Sequence, residues 1–228
     1  MNQVNSQILE LLTYFINNIG QFDPGTGGNK YELSLGQHMA RGLNVPFISS
    51  KDFHSMEKPG FCRTNIIMPD DFHAVVHEPF GSQSGPDIAI FMCGRMLPIE
   101  MKTAEGKKPV FNSVPPKPGR LYIFVHIPKK SKKRNNSVRA FGFDGCIFGI
   151  PSSVHELVHQ RLKQEAEKIN AEFGMNNGKI HLYNRAMYTC DMAIDRHYQE
   201  FDNTVLNFGW DFLDFGALID YNDQQDDN

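Results

Sequence analysis

Residues 86–103 read PDIAIFMCGRMLPIEMKT, and the fold class follows from how this stretch is parsed. Asp87 to Met92 (DIAIFM) and Leu97 to Thr103 (LPIEMKT) are short apolar runs rich in branched and large side chains, the composition of buried strands. Cys93-Gly94-Arg95 supplies a turn between them. Further along, Leu121 to Ile127 (LYIFVHI) and Val138 to Phe143 predict two more strands. Pro and Gly crowd residues 106–119, which predicts a long loop ahead of the third strand. Upstream, Val4, Ile8, Leu11, Leu12, Phe15, Ile16 and Ile19 recur at helical spacing, and Gly20 stands where the helix should stop. A second helix is predicted over Tyr31 to Leu43. Downstream, Ser153 to Phe173 predicts a long amphipathic helix. Val154, Leu157, Val158, Leu162, Ala166 and Ile169 form its core stripe, and Ser153 and Glu156 are spaced as a capping box. Strands framed by helices predict an α/β (or α+β) fold, a central mixed sheet flanked by helices. One domain is expected over residues 1–228. Its core lies at about 80–175, and an acidic, aromatic-rich segment without clear periodicity follows at about 176–228.

The chain has 228 residues, 40% hydrophobic and 21% charged, which argues against wholesale disorder. The longest apolar runs, Ile88 to Cys93 and Leu121 to Val125, are too short to span a bilayer. The amino terminus lacks the basic and apolar regions of a secretory signal. Cys62, Cys93, Cys146 and Cys190 are scattered without a CxxC pair, so reduced thiols are expected, not a disulfide framework or a zinc knuckle. These features predict a soluble, cytoplasmic, non-membrane protein. The loop Asp23 to Asn29 (DPGTGGN) lacks the spacing of a phosphate-binding P-loop, and no Gly-rich dinucleotide fingerprint follows a strand.

The net charge of −3 conceals a dipolar chain. Met101 to Arg134 holds ten basic residues against one acid, a local charge of +9, while Asp191 to Asn228 holds ten acids against one base, a local −9. A concentrated basic segment can track a phosphate backbone. Five of the six residues from Lys129 to Arg134 are basic, as at a loop tip placed for phosphate contact. The acidic tail reads as a solvated face.

Asp87 opens one predicted strand and Glu100 lies in the next. Two carboxylates on adjacent strands can converge on a hard divalent cation, and the Met101 carbonyl offers a third oxygen. Glu100 and Lys102 share a strand face, because side chains alternate with period two. Mg²⁺ held there would polarise a phosphodiester and acidify water, with Lys102 holding the attacking water and offsetting developing charge. The competing reading makes Asp87 a turn residue and Glu100 with Lys102 a surface pair.

Pro86, Asp87, Glu100 and Lys102 together resemble the PD-(D/E)xK nuclease family. Lys107 to Val125 (KKPVFNSVPPKPGRLYIFV) is similar to the stretch after the catalytic lysine in many type II restriction endonucleases, where a Pro-rich loop with an Asn-Ser pair leads into a strand. The resemblance spans about residues 80–127. It implies a Mg²⁺-dependent enzyme that cuts double-stranded DNA at a short sequence and leaves 5′-phosphates and 3′-hydroxyls. Asp87, Glu100 and Lys102 would be catalytic, with Asp87, Glu100 and Met101 as metal ligands. It further implies a prokaryotic homodimer matched to a palindromic site, functionally paired with a DNA methyltransferase. Glu32, in a helix upstream of the core, is a candidate further acid, and Glu10 and Glu78 compete for that role. Asn112 and Ser113 are candidate DNA contacts, for which a GANTC-type site is the first guess. Lys107, Lys108, Lys117, Arg120, Lys129, Lys130, Lys132, Lys133 and Arg134 are candidate phosphate contacts. The QxxxY helix motif of the family's exonucleases is not evident, which favours an endonuclease, and a nonspecific or DNA-repair nuclease is a further alternative.

Residues 155–159 read His-Glu-Leu-Val-His, the HExxH pattern of zinc metalloproteases. Three features weigh against that reading. Glu156 has an alternative task in the capping box with Ser153. Arg161 stands where the extended pattern requires an apolar residue. Leu162 and Glu165 occupy the positions of the Gly and third His of the longer HExxHxxGxxH form. A non-catalytic DNA-binding module would explain the basic loop but not the carboxylates and lysine beside it.

Overall fold

In the computed structural model the central hairpin forms as the apolar runs require. It pairs β3 (Ile88–Met92) with β4 (Arg95–Ala104), antiparallel, with Ile88 opposite Ile99 and Met92 opposite Arg95. The two turn residues, Cys93 and Gly94, both have positive φ, 54° and 70°. That geometry matches the strand twist of a two-residue hairpin, although Cys93 is not one of the residues that enter it readily. The structure describes residues 3–25, 31–56, 69–81, 85–106, 109–112, 120–128, 138–144, 152–173 and 187–189.

Four more strands extend the hairpin into a six-stranded mixed sheet. They are β1 (Phe47–Ile48), β2 (Ala74–His77), β6 (Leu121–His126) and β7 (Arg139–Asp144). The order is β1-β2-β3-β4-β6-β7, with β1 parallel to β2 and β4 parallel to β6. Helices α1 (Gln3–Asn17), α2 (Glu32–Leu43), α3 (Ser50–Ser55) and α4 (Ser152–Glu172) complete the α/β fold. Among the described residues, no helix is long and apolar enough to cross a membrane.

The sheet is buried on both faces, which explains why β3 is apolar throughout and does not alternate. Ile88, Ile90, Leu97, Ile99, Met101, Ile123 and Val125 pack under α1 and α2, on Phe15, Leu35 and Met39. On the opposite face Ala89 and Phe91 meet Phe53 of α3, while Tyr122, Phe124, Phe141 and Phe143 form an aromatic cluster with Phe111. Phe111 belongs to β5 (Val110–Asn112), which pairs antiparallel with β8 (Met187–Thr189). The Pro- and Gly-rich stretch read as a loop over 106–119 therefore contains a strand. Phe111 anchors it, edge-on to Tyr122 with ring centroids 5.4 Å apart.

One helix departs from expectation. Val154, Leu157, Val158, Leu162 and Ile169 of α4, read as a core stripe, are 37–49% exposed. No described residue of α4 joins the three core clusters.

The seating of α2 depends on Gly36. A Cβ there would collide with the Phe47 ring and approach Ile88 Cδ1 to 3.1 Å. Gly36→Ala should therefore lower stability by about 1–3 kcal/mol. Thermal unfolding would register roughly 2–4 °C for each kcal/mol. An unchanged melting temperature would show that Phe47 swings aside.

Candidate functional site

Past the end of β3, the β3–β4 ladder loses its regular partner. Extending the register by one residue sets Asp87 level with Glu100, and by two sets Pro86, which has no N–H to offer the Met101 carbonyl, level with Met101. The Met101 N–H donates to the side chain of Asp87, at its Oδ2, 2.6 Å away. A strand residue sends its N–H and C=O toward the same edge, so the Met101 carbonyl also faces the Asp87 side. The Asp87 carbonyl in turn accepts the Glu78 N–H at 2.8 Å, which ties the end of β2 to this point.

Burial, reinforced by the neighbouring Glu100 and Glu32 carboxylates, pushes the Asp87 carboxyl up to about 8. The Met101 N–H and Lys102 oppose the shift. An acid raised so far by burial, and further by neighbouring acids, marks a place where a cation would be favoured. Asp87, Glu100 and the Met101 carbonyl are oxygen donors, and such a set fits a hard divalent cation.

Glu100 and Lys102 leave β4 on the face opposite Ile99 and Met101. Lys102 Nζ donates to Glu100 Oε1 at 2.5 Å, and Arg120 Nη1 donates to Glu100 Oε2 at 3.1 Å. Arg120 immediately precedes β6 and is only 8% exposed. The parallel pairing of β4 with β6, with Glu100 level with Tyr122, brings it to this carboxylate. Both oxygens of Glu100 are thus fixed by cations, a charge-assisted arrangement that orients the group.

A second group approaches from the helical face. Glu32 stands in the first turn of α2, His77 ends β2 opposite Ile88, and Glu78 follows it. His77 Nε2 and Glu32 Oε2 lie 3.4 Å apart, and this hydrogen bond raises the pKa of the imidazole while burial lowers it. One ligand atom from each of Glu32, His77 and Glu78 lies within 4.8 Å of the others. Glu78 has φ of 46°, a strained value for a non-glycine residue. Its backbone is held there by the Asp87 carbonyl, by Ser50 Oγ donating to its carbonyl at 2.9 Å, and by Gly81 N–H at 3.0 Å.

Of the residues singled out in the sequence, Asp87, Glu100, Met101 and Lys102 converge where the start of β3 faces β4. Glu32 and Glu78 gather beside them, around His77 on the helical face, whereas Glu10 is exposed on α1. Arg120, considered as a phosphate contact, is buried against Glu100. Asn112 ends β5, and its side chain lies outside the described set. Lys107, Lys108, Ser113, Lys117, Lys129, Lys130, Lys132, Lys133 and Arg134 lie outside the described residues. The HExxH positions fall at the start of α4, and the side chains of His155, Glu156 and His159 are also outside that set. His77 was not singled out in the sequence; its one cue was the adjoining Glu78. Comparison of the chain with protein-family models, curated proteins and solved structures finds no match.

Proposed function

We propose that the chain is a Mg²⁺-dependent endodeoxyribonuclease that hydrolyses double-stranded DNA at a short specific sequence, in the manner of a type II restriction enzyme. The supporting observation is the meeting of Asp87, Glu100 and Lys102 at one strand end, with the Asp87 carboxyl raised to about 8 by burial and by its acidic neighbours. Asp87, Glu100 and the Met101 carbonyl hold the cation. When bound, Mg²⁺ supplies the positive charge that polarises the phosphodiester and acidifies water. The Lys102 ammonium, on the same strand face as Glu100, holds the attacking water and offsets charge on the phosphate. Arg120 keeps Glu100 aimed from the neighbouring strand. The basic run from Lys129 to Arg134 and the residues around Asn112 and Ser113 contact the DNA. The reading carries with it a homodimer that matches a two-fold site, a cytoplasmic setting, and a methyltransferase that protects host DNA.

Incubating the purified chain with unmethylated phage-sized DNA, in Mg²⁺ and in EDTA, tests this directly. Discrete bands that appear only with Mg²⁺ are expected. A smear would replace the site-specific reading with a nonspecific or repair nuclease. Intact DNA under both conditions would overturn the nuclease reading and direct attention to zinc content and peptidase activity at residues 155–159.

A further inference from the structure

We infer that Glu32, His77 and Glu78 bind a second divalent cation, one of the borderline first-row ions that accept imidazole nitrogen, such as Zn²⁺ or Co²⁺, in preference to Mg²⁺. This goes beyond the nuclease reading and stands or falls without it. The three ligand atoms lie within 4.8 Å of one another. A single ion with bonds of about 2.0–2.2 Å joins donors at such separations after small side-chain adjustments. They come from the start of α2, the end of β2 and the residue after it, and the β-sheet and the helix seated on Gly36 fix their backbones.

The Glu32 side chain is 7% exposed, and its one side-chain hydrogen bond among the described residues is the 3.4 Å contact with His77. That length is beyond the usual range for a nitrogen–oxygen hydrogen bond. A carboxylate removed from water needs more compensation than this. The N-terminal end of α2 contributes, but such helix-end effects are worth only about 0.3–1 kcal/mol. The three ligands are two carboxylates and one imidazole. They carry a net negative charge among themselves even with His77 protonated, which a dication offsets.

The site is distinct from the one proposed at Asp87 and Glu100. His77 faces the layer of α1 and α2, as its partner Ile88 does, whereas Glu100 and Lys102 face the side of Tyr122 and Phe124. Asp87 lies at the strand end between them. The donor sets also differ in kind. Mg²⁺ prefers oxygen and sheds water reluctantly, while an imidazole with carboxylates suits borderline ions.

Equilibrium dialysis of the full chain against Co²⁺ alone, with a large excess of Mg²⁺ to fill oxygen-only sites, tests the inference. About one equivalent of Co²⁺ should remain bound, and His77→Ala or Glu78→Gln should weaken its binding at least tenfold. Glu100→Gln should retain the Co²⁺ whatever its effect on DNA cleavage, which separates this site from the nuclease reading. If the His77 variant fails to fold, the wild-type chain still decides. A paramagnetically shifted imidazole N–H resonance in the Co²⁺-loaded protein is expected, and its absence overturns the site. Loss of all Co²⁺ in Mg²⁺, or retention unchanged in the folded His77 and Glu78 variants, would reduce the cluster to a His–Glu ion pair.

Discussion

Lys102→Ala is expected to lower Mg²⁺-dependent DNA cleavage by roughly 10³-fold, the loss typical when one positioned charge is removed from a reacting centre. That factor corresponds to about 4 kcal/mol of transition-state stabilisation. Lys102 is partly exposed and belongs to no apolar cluster, so its removal opens no cavity in the core. Glu100 keeps its bond from Arg120 in the variant, and the carboxylate stays in place. Folding and DNA binding in EDTA should therefore be near wild type while turnover collapses. Glu100→Gln should reduce cleavage at least as far, but by a different route. It removes an anionic oxygen from the proposed cation site and leaves Lys102 and Arg120 beside each other without their shared counter-charge. Its Mg²⁺ requirement should move to higher concentration, whereas that of Lys102→Ala should not. Single-turnover cleavage across a Mg²⁺ series distinguishes the two. Wild-type rates in Lys102→Ala would remove the lysine from the mechanism.

The hairpin that carries these groups was legible because its signals are local. Two apolar runs flank a turn read at Cys93-Gly94-Arg95, and strand periodicity alone places Glu100 and Lys102 on one face. The register that sets Asp87 level with Glu100 comes from the structure, where Arg95 pairs with Met92 and the turn shortens to two residues. What lay hidden depends on longer-range pairing. β2 is only four residues, Ala74 to His77, too short for alternation to stand out, and with it His77 escaped notice. Glu32 and Glu78 remained alternatives to each other in the sequence, since nothing local shows that α2 and the end of β2 meet. The structure brings both to the same place. Arg120 reaches Glu100 through the parallel β4–β6 register, across twenty residues of chain. In α4 the apolar periodicity correctly indicated a helix but not its environment, because period reports which side chains share a face and not what covers that face.

The second large effect is on stability. Asp87→Asn should make the metal-free protein more stable at pH 8, and the direction follows from where the carboxyl titrates. In an unfolded chain an aspartate titrates at about 3.9, whereas in the fold Asp87 is raised to about 8. Below pH ~4 the group is protonated in both states and carries no penalty. Between pH ~4 and ~8 the folded state holds a proton that the unfolded state has released, so stability declines with rising pH. Above that window the full cost remains, on the order of a few kcal/mol. Asparagine has no such titration and can still accept the Met101 N–H through its amide oxygen. In EDTA the wild-type melting temperature should therefore fall relative to the variant across this window, by roughly 2–4 °C for each kcal/mol. Mg²⁺ acts in the opposite sense, since an ion that binds only the folded state stabilises it by mass action. It should restore much of the wild-type loss at pH 8 and add far less to the variant. Parallel pH profiles for the two proteins in EDTA would show that Asp87 is not the strained acid. Equal Mg²⁺ shifts would show that the ion binds without it. If both effects appear, the carboxylate that weakens the empty fold is the one that secures the metal, and the cost to stability is the direct consequence of a buried site built to be completed by a cation.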